Sequence, residues 1–204
     1  MKKFFKKLIL LIIDILIGVT IVLAIPRDIT THWYYDNLAG IISPSFEQLS
    51  DTVFSYKELT EYEKEIVLYL VDIYTGGAYL YKDDYYIIIT DDELKTNVEY
   101  TRGKAIAALT STTKKTITVR YDYLEYALPH ELAHAVDATY GFSDSPEFTV
   151  LYEKAVAENT IHWYYLASPK EYFAYCYESY ILDSLTDVEV IEYFDTILKQ
   201  DNYT

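Results

Sequence analysis

Two histidines that flank a glutamate are the clearest chemical signature in this sequence. His130-Glu131-Leu132-Ala133-His134 has the spacing H-E-x-x-H, and a chain of 204 residues with four histidines would contain about 0.006 such matches by chance. On an α-helix, residues four apart project from one face, so both imidazoles can bind one metal ion. Glu131 would face a water on that metal and accept its proton. The spacing therefore predicts one Zn²⁺ ion, with Glu131 as the general base of a hydrolase.

A catalytic zinc needs a third protein ligand, while its fourth position stays open. The metzincin pattern requires a histidine six residues after His134, but the chain has Tyr140 there. The downstream candidates are Glu147, Glu153, Glu158, His162, Glu171 and Glu178. A carboxylate among them would complete the His₂Glu set of a gluzincin. From the residues alone, Glu171 and Glu178 are close rivals, and His162 comes third.

The elements that must position these residues can be predicted from the surrounding pattern. Segments 78–81 and 85–90 indicate one hairpin, and segments 105–109 and 116–121 indicate a second. Helices are predicted near 128–140, 146–160, 169–183 and 187–199. Strands followed by helices are typical of an α+β fold. We therefore expect a small antiparallel sheet followed by a helical domain that contains the H-E-x-x-H helix.

Two local signals bear on where helices begin. Thr60 and Glu63 form a capping box, which predicts a helix of about 15 residues from that point. Pro129 directly precedes the first histidine of the motif, so that helix is expected to begin there or to be kinked.

The motif and the helix after it resemble the catalytic domain of the anthrax lethal factor-like metallopeptidases, which include the secreted Pro-Pro endopeptidases. Residues 130–137 match that family's H-E-x-x-H-x-x-D pattern, and residues 171–174, Glu-Tyr-Phe-Ala, resemble its helix opening with Glu-Phe-Phe-Ala. The resemblance covers about residues 59–197. It implies His130, His134 and Glu171 as zinc ligands and Glu131 as general base.

The resemblance also implies a role for a tyrosine seven residues before the ligand glutamate, which is Tyr164 here. Its hydroxyl would donate a hydrogen bond to the developing oxyanion of the substrate. Because the chain has 24 tyrosines, the adjacent Tyr165 is an alternative donor. The family commonly has a second glutamate four residues after the ligand, where this chain has Tyr175.

Asp137 lies three residues after His134 and shares its face of the predicted helix. A carboxylate at this position can accept the N–H of a ligand imidazole and fix its tautomer. We therefore predict that Asp137 supports the metal site without binding the metal.

The first 25 residues have the layout of an export signal. Four lysines within the first seven residues precede an apolar run over 8–25 that only Asp14 interrupts. Cleavage after Ala24 would remove a signal peptide, whereas retention would leave an N-terminal transmembrane anchor. In either case the positive-inside rule sends the domain to the outside of the cell membrane. Residues 26–55 are then expected to be a linker that packs on a metallopeptidase domain at 56–204.

The overall charge and the single cysteine exclude several classes of protein. A net charge of −15 argues against nucleic acid as a partner, because phosphate binding needs clustered cations. Cys176 alone cannot form an internal disulfide framework. The sequence favours an exported zinc endopeptidase acting on protein or peptide substrates, and the resemblance suggests proline-containing sites. The alternative is a catalytically weak, membrane-anchored binding module that retains this fold.

Overall fold

The computed structural model describes residues 27–39, 43, 45–75, 85–95 and 105–199. This part of the chain has an α+β fold with six α-helices and seven strands. The helices are α1 (Arg27–Tyr34), α2 (Glu61–Thr75), α3 (Leu124–Tyr140), α4 (Pro146–Glu158), α5 (Pro169–Ile181) and α6 (Val188–Lys199). The strands are β1 (Glu47–Gln48), β2 (Val53–Ser55), β3 (Tyr86–Thr90), β4 (Leu94–Lys95), β5 (Ala105–Ile106), β6 (Ala108–Ser111) and β7 (Thr116–Arg120).

The export signal predicted over residues 1–25 lies outside the described residues. Among the helices of the described ranges, none combines the length and the apolar character that crossing a bilayer requires.

The main sheet has the strand order β1-β2-β3-β7-β6 and is mixed. β2, β3 and β7 run parallel to one another, whereas the outer strands β1 and β6 are antiparallel to their neighbours. The prediction of an antiparallel sheet is therefore wrong. The reason lies in the central strand: Ile87, Ile88 and Ile89 are all buried, as expected of a parallel strand that is covered on both faces.

The hairpin predicted from residues 105–121 is confirmed with shifted bounds. β6 pairs antiparallel with β7, from Ala108 opposite Val119 to Ser111 opposite Thr116. The other predicted hairpin falls partly on residues 78–81, which lie outside the described ranges. The neighbours that the sheet gives to β3 are β2 and β7, both parallel.

Part of the predicted linker over residues 26–55 belongs to the sheet. Both β1 and β2 fall within it, and all three residues of β2 are fully buried. The ring centroid of Phe54 lies 5.1 to 5.6 Å from those of Tyr35, Phe46 and Tyr86. A three-residue strand is too short to show a period of two in the sequence, which is why the pattern did not reveal it.

The capping box at the start of α2 is confirmed. The Thr60 N–H donates to Glu63 Oε2 at 2.7 Å, and the Glu63 N–H donates to Thr60 Oγ1 at 3.3 Å. The helix has the predicted 15 residues. Its buried side chains recur at helical spacing and join the common core: Val67, Leu70, Val71 and Tyr74. The helix connects the parallel strands β2 and β3.

α3 begins at Leu124, so Pro129 lies inside the helix rather than at its start. Because proline has no N–H, the carbonyl of Glu125 loses its helical donor. Glu125 is exposed in the first turn of the helix, where water can take the place of that donor. At the other end, Gly141 adopts a left-handed φ of 70° and its N–H donates to the Asp137 carbonyl.

α3 is the element that joins the sheet to the helical half of the fold. It contacts β6 and β7 as well as α5, and Leu128, Leu132 and Val136 are fully buried. A cluster of aromatic rings from three helices holds α5 in place: Phe148, Phe173, Tyr177 and Phe194. This packing fixes α3 and α5 side by side.

Replacing Phe54 tests whether β2 belongs to the folded core. Phe54→Ala should lower the free energy of unfolding by about 3 to 5 kcal/mol, because it leaves a cavity among the surrounding rings. Tyr62→Ala is the control, since that side chain is 67% exposed and should change stability by no more than about 0.5 kcal/mol. Equal effects of the two substitutions in urea denaturation would show that β2 is not part of the core.

Candidate metal centre

Three side chains from α3 and α5 converge on one point. His130, His134 and Glu171 each offer a ligand atom, and these atoms all lie within 4.8 Å of one another. Glu171 Oε2 lies 3.2 Å from His130 Nε2 and 3.6 Å from His134 Nε2. The group is largely buried and could hold a metal ion.

Local sequence explains why these side chains meet. The four-residue spacing puts the two imidazoles on one face of α3, with ring centroids 4.8 Å apart and planes at 88°. Glu171 stands in the first turn of α5, where Ser168 caps the helix by accepting the Glu171 N–H at 3.2 Å. Pro169 occupies the first helical position, which fixes where α5 begins. The start of α5 therefore determines where the carboxylate lies.

The two distances from Glu171 to the imidazoles are close to those between ligands of a tetrahedral metal ion such as zinc. Ligands at 2.0 to 2.1 Å from such an ion lie about 3.3 to 3.4 Å from one another. The two measured separations from Glu171 Oε2, 3.2 and 3.6 Å, lie on either side of that value. Two imidazoles and one carboxylate leave a fourth position for water or substrate, as in catalytic zinc sites. The same donor types also bind other first-row divalent ions.

His130 lies between two carboxylates. Glu171 Oε2 is 3.2 Å from Nε2, and Glu178 Oε2 is 3.3 Å from Nδ1. Burial lowers the pKa of this imidazole, but the hydrogen bonds to Glu171 and Glu178, together with the negative charges of Glu131 and Glu178, outweigh burial and raise the pKa to about 9. The carboxylates around His130 therefore favour a positive charge at this point. A protonated imidazole can supply that charge, and so can a metal ion bound to the neutral imidazole.

Glu131 is buried beside this group and is held by a residue of the sheet. The Thr110 hydroxyl on β6 donates to Glu131 Oε2 at 2.6 Å. The Thr110 Oγ1 atom also lies 3.1 Å from the main-chain carbonyl oxygen of Glu131. Thr110 was not among the predicted site residues. It is one of five threonines over residues 110–118, and nothing in that run marks one threonine as different from the others.

Tyr164 and Tyr165 both line the site. Their ring centroids lie 6.5 and 5.9 Å from that of His130. Tyr165 stacks on Tyr175 with centroids 4.4 Å apart. Burial raises the pKa of Tyr165, and the nearby charge of Glu178 raises it further. The structure thus brings both candidate donors to the site.

Asp137, predicted to accept a hydrogen bond from a ligand imidazole, accepts two hydrogen bonds from Ser143, and its interaction with His134 is electrostatic. The Ser143 N–H donates to Oδ1 at 2.7 Å and its hydroxyl donates to Oδ2 at 2.6 Å. These bonds tie the end of α3 to the short 3₁₀ turn that follows it. The sequence could not indicate this, because the turn that brings Ser143 back depends on the left-handed Gly141.

The remaining candidate ligands lie away from the group. His162 is exposed, and its Nδ1 accepts the Tyr164 N–H at 3.3 Å. Glu147, Glu153 and Glu158 are exposed on α4. Glu178 reaches His130 from the side opposite the point where the ligands meet. Of the predicted third ligands, Glu171 is the one that joins the two histidines in the described part of the chain.

A cleft of about 660 Å³ opens over these side chains. β6 forms one wall, and residues 163–165 contribute aromatic rings to another. Within the described residues β6 lies at the edge of its sheet, with β7 as its partner. The cleft therefore runs along a strand that lies at the edge of the sheet in the described part of the chain, where an added strand could pair.

No family model matches the chain, and no curated protein or solved structure matches it. What the structure defines is an α+β protein with a buried His₂Glu group that can hold a metal ion at the base of a cleft.

Removing one ligand should abolish metal binding while removing a nearby histidine should not. Glu171→Ala should raise the dissociation constant for Zn²⁺ by at least about 100-fold, because a two-histidine site lacks the third ligand. His162→Ala is the matched control and should bind Zn²⁺ as the unaltered protein does. Competition with a chromophoric chelator measures both. Retention of Zn²⁺ by Glu171→Ala together with its loss in His162→Ala would contradict the ligand set.

Proposed function

We propose that this protein is a zinc-dependent endopeptidase of the lethal factor-like type, with His130, His134 and Glu171 as zinc ligands and Glu131 as general base. The observation that carries the proposal is the arrangement of Glu131. Its carboxylate is buried beside the three-residue group and opens onto the same cleft. A site that only stored a metal would not need a base at this position.

Each residue has a distinct part in the proposed reaction. Zinc bound by the three ligands would lower the pKa of a water and polarise the scissile carbonyl. Glu131 accepts the proton of the attacking water and delivers it to the leaving nitrogen, so that the peptide bond becomes a carboxylate and an amine. Thr110 holds the Glu131 carboxylate in place through the 2.6 Å hydrogen bond. Tyr164 or Tyr165 donates to the oxyanion that develops on the substrate carbonyl.

The edge strand β6 supports a protein or peptide as the substrate. An extended peptide can add to such an edge through main-chain hydrogen bonds, while side-chain pockets provide selectivity. Exposed aromatic rings stand along the cleft, with Trp163 55% and Tyr126 78% exposed. Such rings offer apolar area to substrate side chains. The suggestion of proline in the substrate comes from the resemblance to the Pro-Pro endopeptidases alone.

The proposed site of action is the outer face of the cell membrane or the extracellular space. This part of the proposal rests on the basic and apolar segment at residues 1–25. It is independent of the chemistry at the metal centre, because the ligands and the base all lie between residues 110 and 178.

The general base can be tested separately from the metal. Glu131→Gln should lower kcat for peptide cleavage by about 10²- to 10⁴-fold while Zn²⁺ stays bound, because the amide cannot accept the proton. Glu125→Gln, on the exposed first turn of the same helix, should leave kcat unchanged. Cleavage of a diverse peptide library, with and without a chelator, gives the measurement. If the unaltered protein binds Zn²⁺ but shows no chelator-sensitive cleavage, it is a binding module instead of a peptidase.

The two tyrosines can be separated by removing one hydroxyl at a time. Tyr164→Phe should lower kcat about 10²- to 10³-fold with Zn²⁺ affinity unchanged, because one oxyanion donor is lost. Tyr165→Phe should change kcat by less than about threefold, since its ring is engaged by Tyr175. The opposite result would assign the oxyanion role to Tyr165.

A further inference from the structure

Glu178 contacts the metal-binding group without belonging to it. Glu171 and Glu178 are seven residues apart on α5, two helical turns, and therefore lie on the same face. Both carboxylates reach His130, one on each ring nitrogen: Glu171 on Nε2 at 3.2 Å and Glu178 on Nδ1 at 3.3 Å. The two glutamates that the sequence left as rivals for the third ligand thus contact the two different nitrogens of one imidazole.

We infer that Glu178 is a positioning residue that fixes the tautomer and the ring orientation of His130. This inference rests on the proposed function of the group as a metal centre. When the imidazole is neutral, its Nδ1–H donates to Glu178, which leaves the Nε2 lone pair directed at the point shared with His134 and Glu171. Removing the acceptor would allow the proton to move to Nε2, where it blocks metal binding.

The Glu178 carboxylate is partly shielded from solvent. Its side chain is 23% exposed. Burial raises the pKa values of Tyr74 and Tyr165, and the charge of Glu178 raises both further. A partly buried charge is screened less by salt than one on the surface. Its interaction with His130 should therefore persist at physiological ionic strength.

A tyrosine occupies the position on α5 between the two glutamates. Tyr175, one turn after Glu171, stacks on Tyr165, which lines the site. The next acidic residue along the same face of α5 is Glu178, and it supplies the acceptor. Of the two rival glutamates, Glu171 is then the metal ligand, and Glu178 is the hydrogen-bond partner of the ligand His130.

Zinc affinity tests this division of roles in the full chain. Glu178→Ala should raise the Zn²⁺ dissociation constant about 10- to 100-fold. Glu178→Gln should raise it less, because its amide oxygen still accepts the Nδ1–H. Glu153→Gln, an exposed residue of α4, is the charge-matched control and should have no effect. Circular dichroism with a chelator present should be the same for all variants, and the Gln variant retains the side-chain volume if the Ala variant fails to fold.

Three results would overturn the inference. Unchanged Zn²⁺ affinity in both Glu178 variants would show that His130 needs no such partner. Equal losses in Glu178→Gln and Glu178→Ala would show that the hydrogen bond to Nδ1 does not matter. Complete loss of Zn²⁺ in Glu178→Ala with retention in Glu171→Ala would make Glu178 the ligand. By contrast, failure of the unaltered protein to bind Zn²⁺ would contradict the proposed function itself.

Discussion

The carboxylate of Glu171 is buried between two imidazoles where α3 meets α5, and its side chain is only 10% exposed. Removing an anion from water is costly unless positive charge and hydrogen bonds surround it. The two helices can therefore pack closely only if α3 presents both histidines to the first turn of α5. The aromatic cluster behind α5 and the apolar face of α3 bring this about, since they fix the two helices against each other.

Features encoded within one or two helical turns could be predicted from the sequence. The capping box at Thr60 gives the start of α2, and Ser168 with Pro169 gives the start of α5. The two histidines share a face because of their spacing alone. The third ligand could not be settled in the same way, because Glu171 and Glu178 share one face of α5. The choice depends on how far α3 is shifted along α5, which only tertiary packing determines.

Features that depend on contacts between distant segments were missed. β2 has only three residues, and its place between β1 and β3 follows from long-range pairing that leaves no local pattern. Thr110 gains its importance from lying opposite Glu131, 21 positions later in the chain. Asp137 was predicted to accept a hydrogen bond from a ligand imidazole because it shares a helical face with His134. In the structure, the turn after α3 places Ser143 within hydrogen-bonding distance of its carboxylate.

The hydrogen bond from Thr110 joins Glu131, the proposed general base, to β6, the strand proposed to pair with substrate. A peptide that pairs with β6 is then aligned by its own backbone with respect to Glu131. A slip of one residue would move each carbonyl by about 3.3 Å and turn it to the opposite side of the added strand. The attacking water would then meet no carbonyl carbon. In the proposed enzyme, pairing with β6 would therefore set which way each carbonyl of the substrate faces, and the side-chain pockets would select which of the equivalent registers places a bond at the metal.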